Sequence, residues 1–205
     1  MGIITISREL GAGETTIAPA LAARLGWRVA DQSILNREAE ITGISLPHAA
    51  HWDEHDPTFV ERLHRQGPEF AAFLKTSRQV MQELAAEGNV VIVGRGGNLL
   101  LRGYPDALHM RFIADMPFRI KRVMEVRWVT EQNAREIIAK SDRNKAAYFR
   151  HIFQVDWADP RLYDLVIRTD AVSMERTVDL LASFFEHPAP PLPAILEETQ
   201  EAVHE

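Results

Sequence analysis

The segment Ser7-Arg8-Glu9-Leu10-Gly11-Ala12-Gly13-Glu14-Thr15-Thr16 has the residue types of a phosphate-binding loop. Such a loop needs glycines, so that successive backbone N–H groups turn toward one anion, and a helix N-terminus whose dipole favours negative charge. Gly11, Ala12 and Gly13 supply the small, permissive stretch, and Thr15-Thr16 open a helical pattern. Against G-x-x-x-x-G-K-[ST], Arg8 stands at the first glycine, Glu14 at the lysine and Thr15 at the hydroxyl that ligates Mg²⁺. A carboxylate about 4 Å from a phosphate oxygen costs about 1 kcal/mol in water and several in a drier site. Glu14 must turn outward or pair with an arginine, or the loop binds phosphate poorly. Arg8 is the obvious source of the missing charge. The alternative reading is a strand–helix turn whose glycines serve only tight packing.

Other residues group around anion chemistry. Arg95 lies between Gly94 and Gly96, which let a backbone approach a ligand closely; a salt bridge to the acidic region is its bland alternative. Arg119 and Arg122 are one helical turn apart, and Arg143 and Arg150 two turns apart, with Asp142 beside Arg143. Solvated helix faces are the competing reading for each. Asp31 closes a short apolar run and equally suits a helix cap. His48, His51 and His55 with Asp53 and Asp56 offer metal-ligand types, but Pro57 and the polar context favour a cap over a metal site. Ser7 has no His–Asp pattern near it, so a hydrolase triad is not supported. The tryptophans Trp27, Trp52, Trp128 and Trp157 read as core or cap packing.

The elements that must hold these residues alternate. Strands are expected at Gly2–Ser7, Trp27–Ala30, Val90–Val93, Leu108–Ala114 and Leu165–Arg168. Helices are expected at Thr15–Leu25, Phe70–Glu87, Asn98–Leu101, Pro117–Val126, from Thr130 as N-cap to about Arg150, and at Met174–Phe185. The uninterrupted apolar run Val90–Val93 suits a strand buried on both faces of a parallel sheet. The pattern predicts a three-layer α/β domain with a central parallel sheet, its ligands beyond the carboxyl ends of the strands. Residues 187–193 hold four prolines and read as a linker to an acidic tail at 194–205.

Composition narrows the function. A chain of 205 residues suffices for one α/β domain with an insertion, or two very small domains, and its 46% apolar and 25% charged residues are the balance of a globular protein with a core. Its net charge of -6 argues against a nucleic-acid polymer as partner. With no cysteine, disulfides and thiol chemistry are excluded. No apolar run reaches the roughly 20 residues of a membrane span, so no membrane partner is expected. The N-terminus lacks signal-peptide features, so a cytoplasmic protein is expected. Residues 111–150 carry ten bases against five acids, a local excess that suits a compact anionic ligand.

The blocks "ISRELGAGETTIAPALAARLGW", "ADQSIL", "VIVGRGGNLLL", "MRFIADMPFRIKRVME", "SDRNKAAYFRHIF" and "DWADPRLYDLVIRT" occur in order and resemble the cytidylate kinase-like family over about residues 2–186. Members of this group often lack the loop lysine. The resemblance implies a P-loop NTPase-type domain at 1–186, with a helical cap near 40–87 and a lid near 119–150. It implies ATP and Mg²⁺ as cofactors and phosphoryl transfer to a nucleoside monophosphate, CMP or dCMP first. Gly11, Ala12, Gly13, Glu14, Thr15 and Thr16 would bind nucleotide, with Thr15 on Mg²⁺. Asp31 and Arg95 would bind the acceptor, and Arg8, Arg119, Arg122 and Arg143 would stabilise the transferring group. The competing implication of Glu14 is a nucleotide-binding regulatory pseudokinase. A homodimer fits an enzyme of this size.

Overall fold

The computed structural model describes residues 2–31, 34, 36–37, 41 and 68–186. Five strands form one parallel sheet: β1 (Ile3–Arg8), β2 (Arg28–Ala30), β3 (Val90–Val93), β4 (Ala107–Ile113) and β5 (Leu165–Arg168), in the order β2-β3-β1-β4-β5. The expected strands at Val90–Val93 and Leu165–Arg168 match to the residue, and the boundaries of the others differ by at most one position. β1 is central. Ile4 lies beside Val91 on one neighbour and Leu108 on the other, so every strand runs the same way and all carboxyl ends share one edge.

Successive side chains of β1 point to opposite faces of the sheet, and both faces are covered. Ile4 and Ile6 pack with Val91, Val93, Met110 and Phe112 beneath helices α1 (Glu14–Leu25) and α6 (Met174–Glu186). Ile3 faces the opposite layer with Val90, Ile92 and Leu101, against α2 (Pro68–Glu87). Val80, Met81 and Ala85 of α2 belong to that layer. The last turns of α2, which fall within the expected cap at 40–87, pack on the sheet. Residues 42–67 of that cap, and the His48, His51, His55 cluster with Trp52, lie outside the described residues, as does the 187–205 tail.

The remaining helices are α3 (Gly97–Leu100), α4 (Met116–Arg127) and α5 (Glu131–Phe153). Thr130 caps α5 as its sequence predicts, its side chain accepting from the Asn133 N–H at 3.4 Å. The helices α4 and α5 pack on each other through Ile120, Val123, Ala134 and Ile138. Leu10 of the glycine-rich loop packs against the same cluster, which ties this hairpin to the loop. Trp128 departs from expectation: it is 92% exposed at the hairpin tip, so it packs in no core.

Candidate active site

The loop from Arg8 to Gly13 joins the carboxyl end of the central strand to the start of α1. Gly11 and Gly13 both take left-handed backbone, φ 87 and 90. At Gly11 a side chain is also barred by space, because a Cβ would stand 2.7 Å from the Arg119 carbonyl oxygen. The loop thus lies directly against the backbone of α4. Ala12 is fully buried, and its N–H bonds the Glu9 carbonyl at 3.0 Å. Glu14 is the first residue of α1 and Thr15 the second. The Thr16 hydroxyl donates back to the Gly13 carbonyl at 3.2 Å.

The residue that organises this loop is one the sequence reading passed over. Glu9 bonds Arg111 Nη2 through Oε1 at 3.3 Å. Its Oε2 lies 3.5 Å from Arg119 Nη1 and accepts the Ala114 N–H at 3.3 Å. Both arginine side chains are almost fully buried. Arg119 also donates through Nε to the Leu10 carbonyl at 2.8 Å and through Nη2 to Asp142 at 2.7 Å. Every nitrogen of Arg119 is thus engaged, and it acts here as a positioning residue that binds loop, α4 and α5 together. Arg111 donates to the Trp157 carbonyl at 2.7 Å and lies over the Trp157 ring at 4.4 Å.

Lys145 is the second such residue. It is 3% exposed, and its Nζ donates to the Arg8 carbonyl at 2.5 Å. Arg8 itself has Nε and Nη1 buried with no hydrogen-bond partner. Buried guanidinium nitrogens without partners are rare in finished protein interiors and mark a place for an acceptor.

The expected residues divide. Arg8, Gly11, Ala12, Gly13 and Arg119 meet at the loop, with Glu14, Thr15 and Thr16 at the helix start. Arg122 does not share the fate of Arg119: it reaches Glu125 at 3.3 Å on the outer side of α4. It still helps line a small cavity of about 90 Å³ with Leu10, Gly11 and Gly13. Arg143 is exposed, while Asn144 and Lys145 beside it are buried. Asp31 follows β2 at the same sheet edge, is exposed, and accepts the Ile34 N–H on its carbonyl at 3.1 Å. Arg95 follows β3, is 6% exposed and takes a left-handed φ of 62. Its turn is packed under α5, since a Cβ on Gly96 would stand 2.5 Å from the Phe153 ring.

A buried polar layer lies behind the site, between β4 and the segment before β5. The Thr5 hydroxyl and His109 Nδ1 are 2.8 Å apart. Asp164 Oδ2 accepts the His109 backbone N–H at 2.7 Å. Tyr163 donates to the Trp157 carbonyl at 2.8 Å. Burial lowers the His109 pKa below its ordinary 6.5, and the Asp164 carboxylate only partly opposes this. His109 is neutral at pH 7 and serves as a structural hydrogen-bonding group.

Among the described residues, no group of three or more carboxylates and imidazoles could hold a metal ion. No helix among the described residues is long and apolar enough to cross a membrane.

A glycine loop between the central strand and its helix, at the carboxyl edge of a parallel sheet and under a basic helical hairpin, defines an α/β domain of the P-loop class. Residues 3–171 match the model of the cytidylate kinase-like family, and the chain belongs to that family. It is 28% identical to the cytidylate kinase of Ignicoccus hospitalis over 182 residues, 88% of this chain and 97% of that one. It is 27% identical to the cytidylate kinase of Methanocaldococcus jannaschii over 188 residues, 90% and 98% of the two chains. Among solved structures, an uncharacterized protein from Eubacterium ventriosum superposes with a TM-score of 0.68 at 21% identity, over 91% of this chain and 99% of its own. A shikimate kinase from Bacteroides thetaiotaomicron shares the fold with a TM-score of 0.53 at 16% identity, over 90% and 98%.

Proposed function

We propose that this protein transfers the γ-phosphoryl group of ATP to a nucleoside monophosphate, with CMP or dCMP the first acceptor. The observation that carries the reading is the loop itself. Two left-handed glycines turn the backbone at a helix N-terminus, and cations from β1, β4, α4 and α5 converge on the same few residues. The names of the relatives point to the same acceptor.

Phosphoryl transfer asks a protein for positioning and charge neutralisation more than for covalent chemistry. The loop N–H groups would hold the nucleotide phosphates, and Arg8 would give its unpartnered nitrogens to their oxygens. Thr15 would hold Mg²⁺, which would supply positive charge against the phosphates. Arg95, on a separate strand end, would take the acceptor phosphate and so fix the attacking oxygen in line. Asp31 stands at the same edge and would contact the acceptor. Arg122 and Arg143, outside the loop in this structure, would reach the transferring group only through movement of the α4–α5 hairpin.

A screen of ATP and GTP against every nucleoside monophosphate, with products weighed by mass spectrometry, tests the proposal. The expected result is a diphosphate product with CMP or dCMP ahead of the others. Nucleotide binding without transfer to any acceptor would overturn it and leave a nucleotide-binding protein whose turnover is lost.

A further inference from the structure

The turn that carries Arg95 is one its own backbone disfavours. Gly94, Arg95 and Gly96 are three successive residues in left-handed conformation, with φ 79, 62 and 65. The two glycines adopt it freely. An arginine does not, and a residue in such a conformation persists only where its surroundings over-determine it. We propose that Phe153, the last residue of α5, is a positioning residue of the reaction: its ring holds this turn and so sets where Arg95 meets the acceptor phosphate. The inference rests on the functional reading above and deepens it.

The sheet holds one part of the turn. The Gly94 N–H donates to the Ile6 carbonyl of β1 at 2.9 Å. Gly97, just past the turn, lies on the sheet, where a Cβ would stand 3.4 Å from Ile92 and Thr5 side-chain carbons. The helix α3 that follows has four residues, too few to fix its own start. Between these two anchors comes Phe153. A Cβ on Gly96 would stand 2.5 Å from its Cε2 and 2.6 Å from its Cζ, so the ring edge lies directly against the turn backbone.

The ring is itself held in place. Its centroid is 5.9 Å from that of Tyr148 and 5.7 Å from that of Phe149, and Leu99 of α3 packs against the same aromatic cluster. This cluster is separate from the two that cover the sheet, and Phe153 is only half-buried. The same helix also braces the glycine loop, through Asp142 on Arg119 and Lys145 on the Arg8 carbonyl. From Asp142 to Phe153 the helix spans roughly 16 Å. One rigid element thus sets the spacing between the nucleotide loop and the acceptor turn. In-line transfer is sensitive to that spacing, since a misplacement of about 1 Å can cost about 100-fold.

The test compares wild type, Phe153→Ala, Phe153→Leu, Arg95→Ala and the double variant Phe153→Ala/Arg95→Ala, by calorimetric titration with CMP and with Mg·ATP and by steady-state kinetics. If wild type uses another nucleoside monophosphate better, that one replaces CMP. Phe153→Ala should weaken the acceptor about 5- to 50-fold and Mg·ATP by less than about threefold. Phe153→Leu, which keeps bulk but not the flat ring, should lose less. Because Phe153 acts through Arg95, the double variant should bind the acceptor within about twofold of Arg95→Ala alone. Additive losses, equal weakening of both ligands, or unchanged acceptor affinity in Phe153→Ala would overturn the proposal and leave Phe153 a packing residue. If Phe153→Ala does not fold, Phe153→Leu takes its place in every comparison, by the same criteria. Wild type that binds CMP but transfers to no acceptor overturns the function proposed above, while the CMP affinities still decide the role of Phe153. Wild type that binds no nucleoside monophosphate overturns both.

Discussion

Replacing Glu9 by glutamine removes one charge and almost no volume. In the wild type its carboxylate faces Arg111 at 3.3 Å and Arg119 at 3.5 Å, and accepts the Ala114 N–H at 3.3 Å. An amide oxygen can keep the Ala114 contact, but the amide NH₂ then points donors at a guanidinium. Removing one partner of a fully buried ion pair costs about 3–5 kcal/mol. Two features lower that figure here. The distances exceed the roughly 2.7–2.9 Å of a strong charge-assisted bond. Each arginine also keeps other acceptors, the Trp157 carbonyl for Arg111 and the Leu10 carbonyl with Asp142 for Arg119. The expected loss is about 2–3 kcal/mol. In a domain of this size that corresponds to roughly 4–12 °C in melting temperature. Urea unfolding of Glu9→Gln against wild type measures it directly. Because both arginines are buried, the difference should persist at about 0.5 M NaCl, where an exposed pair would be screened. Stability within about 0.5 kcal/mol of wild type, or a difference abolished by salt, would refute the claim that Glu9 holds the loop together.

Three further outcomes follow from the geometry. Arg95→Ala should raise the acceptor KM, by roughly 1.5–3 kcal/mol in kcat/KM, while ATP binding changes little; steady-state kinetics with each substrate varied would expose an equal loss for both. Gly11→Ala should cost at least about 2 kcal/mol, because it combines a left-handed φ with a Cβ 2.7 Å from the Arg119 carbonyl oxygen, whereas Gly26→Ala, with φ 68 and open space, should cost only about 1 kcal/mol by thermal melting. His109 has a lowered pKa in the folded state, so the unfolded chain binds its proton first: its contribution is complete above pH 6.5 and is lost as pH falls below it. The slope is at most about 1.4 kcal/mol per pH unit, and His109→Gln should flatten it in urea titrations between about pH 7.5 and 5.

Local pattern made the scaffold readable. Val90–Val93 is apolar at every position because both of its faces are covered, and Thr130 signals its helix by the hydroxyl it gives the Asn133 N–H. The site was readable only where it is contiguous. The glycine loop and the Gly94-Arg95-Gly96 turn announce themselves, but Glu9 and Lys145 do not. Their partners lie 102 and 137 residues away, and one side chain among many acids and bases carries no mark of the pairing. Helical spacing misleads in a second way. Arg119 and Arg122 are neighbours on α4, yet packing against Leu10 turns one inward and leaves the other to Glu125. On α5 a shift of two residues reverses the face, so Arg143 is exposed where Lys145 is buried. The polar layer of Thr5, His109 and Asp164 was hidden because each residue sits in an otherwise ordinary strand or turn.

The central place of β1 in the sheet governs the order in which the protein can be made. This strand and its loop precede both neighbours of β1 in the chain, which come much later, at Val90–Val93 and Ala107–Ile113. Until then an apolar strand has no partner on either side, the state in which nascent chains associate wrongly. The cationic contacts of the loop arrive later still: Arg111, Arg119, then Lys145, with Tyr163 reaching Ser7 across 156 residues. Such distant closures slow folding, because loop entropy is lost before the contacts form. A chain released before Lys145 would carry the whole glycine sequence without the cations that serve it. Ligand that binds only the completed fold stabilises finished chains alone. A nucleotide bound by the finished loop would therefore favour completed chains over partial ones.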